Sequence, residues 1–281
     1  MNTTSTSSGR AILCMSSKPP DPDAIRFAEK IINAFNMQLI LLHTHRDTAE
    51  LTDGQHSVEI IQNLLQSKPD ELIEIQGDLE SVLKEELDPQ AHELVILGTS
   101  AESFDRRTTS TSHRLANRIG DSVLIIQHPP KAISRILVCT GGHPASNLVV
   151  QRGLQLGQAF KAEVTILHVV TGMPAMYTGL PAVEEGLQEI LSRDTPLAQH
   201  LRAAAQLADE KKVKAKLELR HGVVVEEILR ACEMGEYDLV LIGSPDPSSM
   251  LERLALGRIG PQLLTSTQIP LLIARIEPKN S

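Results

Sequence analysis

The stretch Thr140-Gly141-Gly142 reads either as an anion site or as an ordinary turn. Two glycines after an apolar run leave a small turn, with exposed backbone N–H groups, at the carboxyl edge of a sheet. Such groups suit an anion. His43 and His45 lie two apart at the end of another apolar run, so both rings point to one side, as a metal pair would need. No Asp, Glu or Cys partner is placed by the sequence, which favours packed histidines over ligands. Arg106, Arg107, Arg114 and Arg118 gather in one stretch, with Arg114 and Arg118 on one helix face, but Glu102, Asp105 and Asp121 lie among them. A self-neutralising surface is the expectation there. Cys14, Cys139 and Cys232 show no metal-like spacing and read as buried free thiols. No Ser/His/Asp, Cys/His or paired-carboxylate arrangement is signalled, so catalysis is not expected.

The elements that must position these residues occur twice. HELVILG (His92–Gly98) returns as YDLVLIG (Tyr237–Gly243) at an offset of 145, and MQLILLHTH (Met37–His45) returns as AEVTILHVV (Ala162–Val170) at 125. AILCMSS answers RILVCTGG at 124, and SVLIIQ answers PLLIAR at 148. Self-similarity in constant order, at slowly growing offsets, means two copies of one domain. Within each copy, short strands that are apolar throughout alternate with amphipathic helices. In the first, Ala11–Met15 predicts a strand, Asp21-Pro22 a helix start, and Ala24, Ala28, Ile31 and Phe35 one buried helix face. Leu39–Leu42 predicts the second strand, followed by a polar loop and a helix near Ser57–Gln66. Leu72–Ile75, a helix near Leu79–Leu87, Leu94–Leu97, a helix over Ser110–Ile119 and Val123–Ile126 complete the copy. The second runs through Ile136–Cys139, Ser146–Phe160, Val164–Val169, a long helical stretch, Leu217–Leu219, Val224–Glu233, Leu239–Ile242, Gly260–Leu264 and Leu271–Ala274. The pattern predicts an α/β fold: two doubly wound domains with parallel sheets covered on both faces. Any ligand then belongs at the carboxyl ends of the strands. The expected limits are a disordered tail over 1–9, a first domain over 10–128 and a second over 132–277, joined by the stiff linker His128-Pro129-Pro130-Lys131.

Composition narrows the function classes. The net charge of −8 falls on residues 1–130, with 11 Lys+Arg against 19 Asp+Glu, whereas 131–281 carry 16 of each. Neither half has the positive field that nucleic-acid binding needs. Aromatic residues make up 2% and Trp is absent, which argues against base-stacking platforms. No apolar run approaches the roughly 18–20 residues of a membrane span. The opening MNTTSTSSGR has neither the charged nor the apolar region of a secretory signal, so a cytoplasmic protein without membrane or nucleic-acid partners is expected.

RILVCTGGHPASNLVVQRGLQLGQAFKAEVTILHVV and YDLVLIGS…LGRIGPQLLTSTQIPLLIAR in the second copy resemble the opening and ending of a universal stress protein domain. The first copy is similar through AILCMSS, LILLHTH, IQGDLESVL and HELVILG…SHRLANRIGDSVLII. The resemblance covers almost the whole chain as a tandem of two such domains. It implies a five-stranded parallel sheet of order 3-2-1-4-5, pairing of the two halves as a pseudo-dimer, and homodimers. It also implies an adenine nucleotide (ATP, ADP or AMP) as ligand. Nucleotide-binding members carry Gly-x2-Gly-x9-Gly-Ser/Thr after the fourth strand and an Asp at the end of the first. Here Gly243 and Gly257 match, Asp246 takes the middle glycine position, and Arg258 stands where Ser/Thr belongs. Thr140 replaces the first-strand Asp. The resulting second-domain candidates are Thr140, Gly141, Gly142, Val169, Gly243, Ser244, Gly257 and Arg258. In the first domain Ala101 replaces the middle glycine and the loop is shorter, leaving Ser16, Gly98, Thr99, Thr109 and Ser110 as weaker candidates. An Asp beside phosphates would cost about 1–4 kcal/mol, which a guanidinium at Arg258 could offset.

The expectation is a non-catalytic stress-response module binding an adenine nucleotide at the second domain, with weak nucleotide hydrolysis at most and no metal. Its rival is a dimerising scaffold with degenerate sites. The added stretch after Val170, TGMPAMYTGLPAVEEGLQEIL, is expected to pack as an interface, as a lid or onto its own domain, because Met173, Met176, Tyr177, Leu180 and Pro181 are too apolar for a free loop.

Overall fold

A computed structural model describes residues 9–15, 19–83, 93–98, 122–143, 146–171, 186–243 and 259–275. The chain divides into two compact units, Met1–Lys131 and Ala132–Ser281.

In the first unit, β1 (Arg10–Met15), β2 (Gln38–His45), β3 (Glu71–Gln76), β4 (Leu94–Leu97) and β5 (Ser122–Ile125) pair in parallel in the order 3-2-1-4-5. The central strand is buried because helices cover both of its faces: Ala11 to Met15 are at most 5% exposed. Helix α1 (Pro22–Phe35) starts where the Asp21 carboxylate accepts the Asp23 N–H and Pro22 needs no partner for its nitrogen. It ends at Asn36 in the left-handed conformation. Its buried stripe includes Ile25, Phe27, Ile31 and Ile32.

Helix α2 (Thr48–Leu64) differs from the sequence expectation. The stretch read as a polar loop before Ser57 is its first turns, capped by Asp47, whose carboxylate accepts the Glu50 N–H. Polar side chains conceal the helix in the sequence, and an interior glycine argues against it. The structure gives that glycine a purpose. A Cβ on Gly54 would lie 1.8 Å from Nε2 of His43, so only glycine lets α2 close over the fully buried His43 ring. Gly54→Ala is therefore expected to lower stability by about 1–3 kcal/mol through overpacking, despite the roughly 1 kcal/mol that alanine gains in helix propensity. Urea denaturation checks this, and a stabilised variant would contradict it. Helix α3 (Leu79–Ser81) follows, capped by Asp78. The helix expected over Ser110–Ile119 and the four arginines 106, 107, 114 and 118 lie outside the described residues.

The second unit repeats the design. Its strands β6 (Arg135–Thr140), β7 (Glu163–Val170), β8 (Ala215–His221), β9 (Leu239–Gly243) and β10 (Leu271–Ala274) pair in parallel in the order 8-7-6-9-10, the same 3-2-1-4-5 topology. Helices α4 (Asn147–Phe160), α5 (Leu187–Ser192), α6 (Pro196–Glu210), α7 (Val224–Gly235) and α8 (Ile259–Ser266) connect them. The expected long helical stretch is two helices. The break falls where Thr195 accepts the Ala198 N–H as N-cap, with Pro196 in the first turn. The basic run Lys211–Lys216 spans the turn after α6 and enters β8, with Lys214 paired to Glu163 at 2.7 Å and Lys216 to Glu218 at 3.0 Å. Among the described residues, no helix is long and apolar enough to cross a membrane.

Candidate functional site

In the second unit, the chain runs from β6 outward to β7 and β8, then crosses back to β9 on the other side of β6. In open α/β sheets such a reversal is where a crevice forms at the carboxyl ends of the strands. A cleft of about 470 Å³ occupies it, lined by Thr140, Gly141 and His143 after β6, by His168 to Thr171 on β7, and by Ile242 and Gly243 on β9. Leu197, Val224, Ile228 and Ile259 supply aliphatic walls from α6, α7 and α8. Its size is within the range of roughly 300–1,000 Å³ usual for small-molecule sites. The described walls contain no Lys, Arg, Asp or Glu.

The turn at the cleft floor is held by its own side chains. Gly141 N–H donates to Ser146 Oγ (3.1 Å), and Gly142 N–H donates to Thr140 Oγ1 (3.2 Å). These are the N–H groups expected from sequence to be open to an anion; the structure gives both an internal acceptor. Gly142 adopts a φ of +76°, and a Cβ there would stand 2.5 Å from Leu197 Cδ1 and 2.6 Å from His168 Cε1.

Two histidines brace this turn. His168 Nδ1 lies 3.0 Å from the Thr140 carbonyl oxygen, which can only accept, so Nδ1 carries the proton. His200 lies on the buried stripe of α6, with Ala204 and Ala208 one and two turns on. Its Nε2 is 2.6 Å from Thr140 Oγ1, and its Nδ1 is 2.9 Å from Asn147 Oδ1, the first residue of α4. Burial, reinforced by His143 and His168, pushes the His200 pKa down to about 4. Burial also lowers His168, opposed by its bond to Thr140 and reinforced by His143. Both rings are neutral at pH 7. The hydroxyl–imidazole–amide chain has the connectivity that activates nucleophiles. The Gly141 and Gly142 N–H groups, which could stabilise an oxyanion, are already engaged by Ser146 and Thr140.

A profile of the Universal stress protein family matches residues 132–275, just over half of the chain. The chain belongs to the universal stress protein family. A universal stress protein of Methanocaldococcus jannaschii is 28% identical over 157 residues, covering 55% of this chain and 89% of the relative. Universal stress protein D of Escherichia coli is 26% identical over 114 residues, or 40% of this chain and 77% of the relative. Among solved structures, a universal stress protein from Archaeoglobus fulgidus superposes with a TM-score of 0.65 at 12% identity, covering 94% of this chain and 96% of that one. A functionally unknown protein from Pseudomonas aeruginosa also gives 0.65, at 14% identity, covering 96% and 93%. These two establish the fold alone. The tandem organisation is visible in the topology itself, since both units of this universal stress protein carry the 3-2-1-4-5 sheet.

Of the candidates taken from the family motif, Thr140, Gly141, Val169 and Gly243 line the cleft, and Gly142 forms its turn. Ser244, Gly257 and Arg258 lie outside the described residues, as do Ser16, Thr99, Thr109 and Ser110 of the first domain and the segment 172–185. Gly98 follows β4 with a positive φ of 89°. The residues missed from sequence are Asn147, Ser146, His168 and His200, which belong to the turn's hydrogen-bond network. Only the placement of His200 on the buried stripe of α6 could have flagged it.

Of the universal stress protein's other candidate groups, His43 and His45 do not line this cleft. The His43 and His45 rings are 5.8 Å apart, and His43 is fully buried with Glu74 Oε1 3.7 Å from its Nδ1. Among the described residues no group of three His, Cys, Asp or Glu could hold a metal ion. Cys14, Cys139 and Cys232 are free thiols, and burial pushes Cys232 up to about 12 and the other two well above their usual value. Thiols so placed are poor nucleophiles.

Proposed function

We propose that this protein is a non-catalytic, stress-linked module that binds an adenine nucleotide (ATP, ADP or AMP) in the cleft of the second unit, and that occupancy biases its conformation or partner contacts. The cleft at the strand-order reversal carries this reading, being the right size and lined by aliphatic side chains, imidazoles and hydroxyls suited to a nucleoside. In this reading the phosphates run past Gly243 towards Ser244, Gly257 and Arg258, and Arg258 supplies the charge that the described walls lack. The two family domains extend over 10–128 and 132–277, the protein is cytoplasmic, its domains pair with each other, and it forms a homodimer.

The test is to denature the purified protein, identify any small molecule released, and titrate the native protein with ATP, ADP and AMP. A bound nucleotide or a saturable heat supports the reading, whereas neither, up to millimolar ligand, would sink it. Arg258→Ala is expected to weaken binding of ATP by roughly tenfold or more while leaving the unfolding transition unchanged. Unaltered affinity would remove Arg258 from the site.

A second reading is favoured by one observation. The Gly141 and Gly142 N–H groups are spent on Ser146 and Thr140, so this turn offers no phosphate cradle. In a scaffold with a degenerate site that arrangement would be sufficient, and dimerisation through the segment after Val170 would do the work.

A further inference from the structure

The network at the cleft floor fixes where its protons are. Asn147 Oδ1 can only accept, so His200 Nδ1 carries the ring's proton and Nε2, 2.6 Å from Thr140 Oγ1, is a bare lone pair. The single hydroxyl proton of Thr140 is then committed to His200. One of its oxygen lone pairs takes the Gly142 N–H at 3.2 Å, and the other remains. Thr140 is 6% exposed and lines the cleft. His168 arrives at the same polarity by another route: the Thr140 carbonyl holds its proton on Nδ1, leaving Nε2 as an acceptor on another cleft-lining residue. Two groups that elsewhere donate or accept at will are thus both set to accept.

We propose that His200 and Asn147 are positioning residues that set the hydrogen-bond polarity of the cleft, making Thr140 an acceptor and so selecting a heterocycle that presents an amino N–H over one that presents a carbonyl oxygen. This rests on the nucleotide reading above and adds the group that discriminates between nucleotides. A ligand carbonyl facing Thr140 would meet lone pair against lone pair, and the hydroxyl could turn to meet it only by abandoning His200 Nε2 in a buried site, leaving that nitrogen unsatisfied. Burial, which keeps His200 neutral, maintains the arrangement at pH 7. Asn147 does not line this cleft; it acts through His200.

The experiment compares adenosine 5′-monophosphate with inosine 5′-monophosphate, which differ in an amino group against an oxo group, by calorimetry on the full chain. The wild-type protein is expected to prefer the adenosine form by roughly tenfold or more. Asn147→Ala frees the ring tautomer and is expected to bring the ratio towards unity, while Asn147→Asp, which retains an acceptor, restores it. Nitrogen-15 NMR of the ring reads the relay directly, with Nδ1 of His200 protonated and Nε2 bare at pH 7. Equal affinities in the wild type, or a His200 protonated at Nε2, would overturn the proposal. Binding of neither nucleotide defeats the nucleotide reading, and the ring spectrum then decides the polarity by itself.

Discussion

Gly142→Ala is expected to cost about 2–5 kcal/mol of stability and to abolish ligand binding in the second-unit cleft. Two penalties combine. A left-handed conformation costs an L-residue about 1–2 kcal/mol, and Gly142 holds a φ of +76°. The new methyl would also stand 2.5 Å from Leu197 Cδ1 and 2.6 Å from His168 Cε1, an overpacking typically costing about 1–3 kcal/mol. Neither neighbour yields freely, because Leu197 sits in the first turn of α6 and His168 is tied to the Thr140 carbonyl. Gly141→Ala is the control. Its Cβ would stand nearest the far end of His143 and the Ser146 hydroxyl, both side-chain ends, with no positive φ, so it is expected to cost less than about 1 kcal/mol. Urea denaturation of both variants checks the pair, and equal costs would refute the role given to the Gly142 backbone.

Acid is expected to destabilise the second unit before its carboxylates titrate. The His200 pKa falls from an ordinary 6.5 to about 4 on folding, chiefly through burial. Between those values the unfolded chain binds the proton that the folded chain refuses, so stability declines as pH drops through this window. At about 1.4 kcal/mol per unit, the full loss approaches about 3 kcal/mol below pH 4. His168, also lowered, adds in the same direction. His200→Gln removes this titration and is expected to flatten the stability profile between pH 6.5 and 4 relative to wild type. Its stability at pH 7 is expected to be lower, because Thr140 loses the acceptor of its proton. Denaturation midpoints collected across that range give the comparison, and parallel profiles would show that His200 is not the group refusing the proton.

The legible parts of the fold were those with a local cause. Apolar runs such as Leu94–Leu97 and Leu239–Ile242 can be satisfied only as buried strands, and Asp21-Pro22 specifies a helix start by itself. The illegible parts had distant causes. The first turns of α2 looked like a loop because Thr48–His56 is polar and contains Gly54; the reason for that glycine is His43, on the neighbouring strand. The single expected helix before β8 is two, because Thr195 and Pro196 form a start signal inside a run of otherwise helical residues. The candidate site divides in the same way. Thr140, Gly141, Gly142, Val169 and Gly243 could be placed at strand ends by aligning the repeats. That the turn's N–H groups face inward to Ser146 and Thr140 could not be, since a dipeptide does not reveal which acceptor its amides will find.

The sequence by itself determined a duplicated, doubly wound α/β chain, the strand ends at which such folds take a ligand, and the absence of a net positive charge in either half. These follow from periodicity, self-similarity and charge, which depend on near neighbours or on totals. Only the tertiary structure decided the chemistry of the cleft floor. His200 comes from 60 residues and Asn147 from 7 residues beyond Thr140, and the polarity of the Thr140 hydroxyl exists only once α6 delivers one to the other. A hydrogen bond's direction is set by all the groups that share its protons, and those groups meet only when the chain has folded.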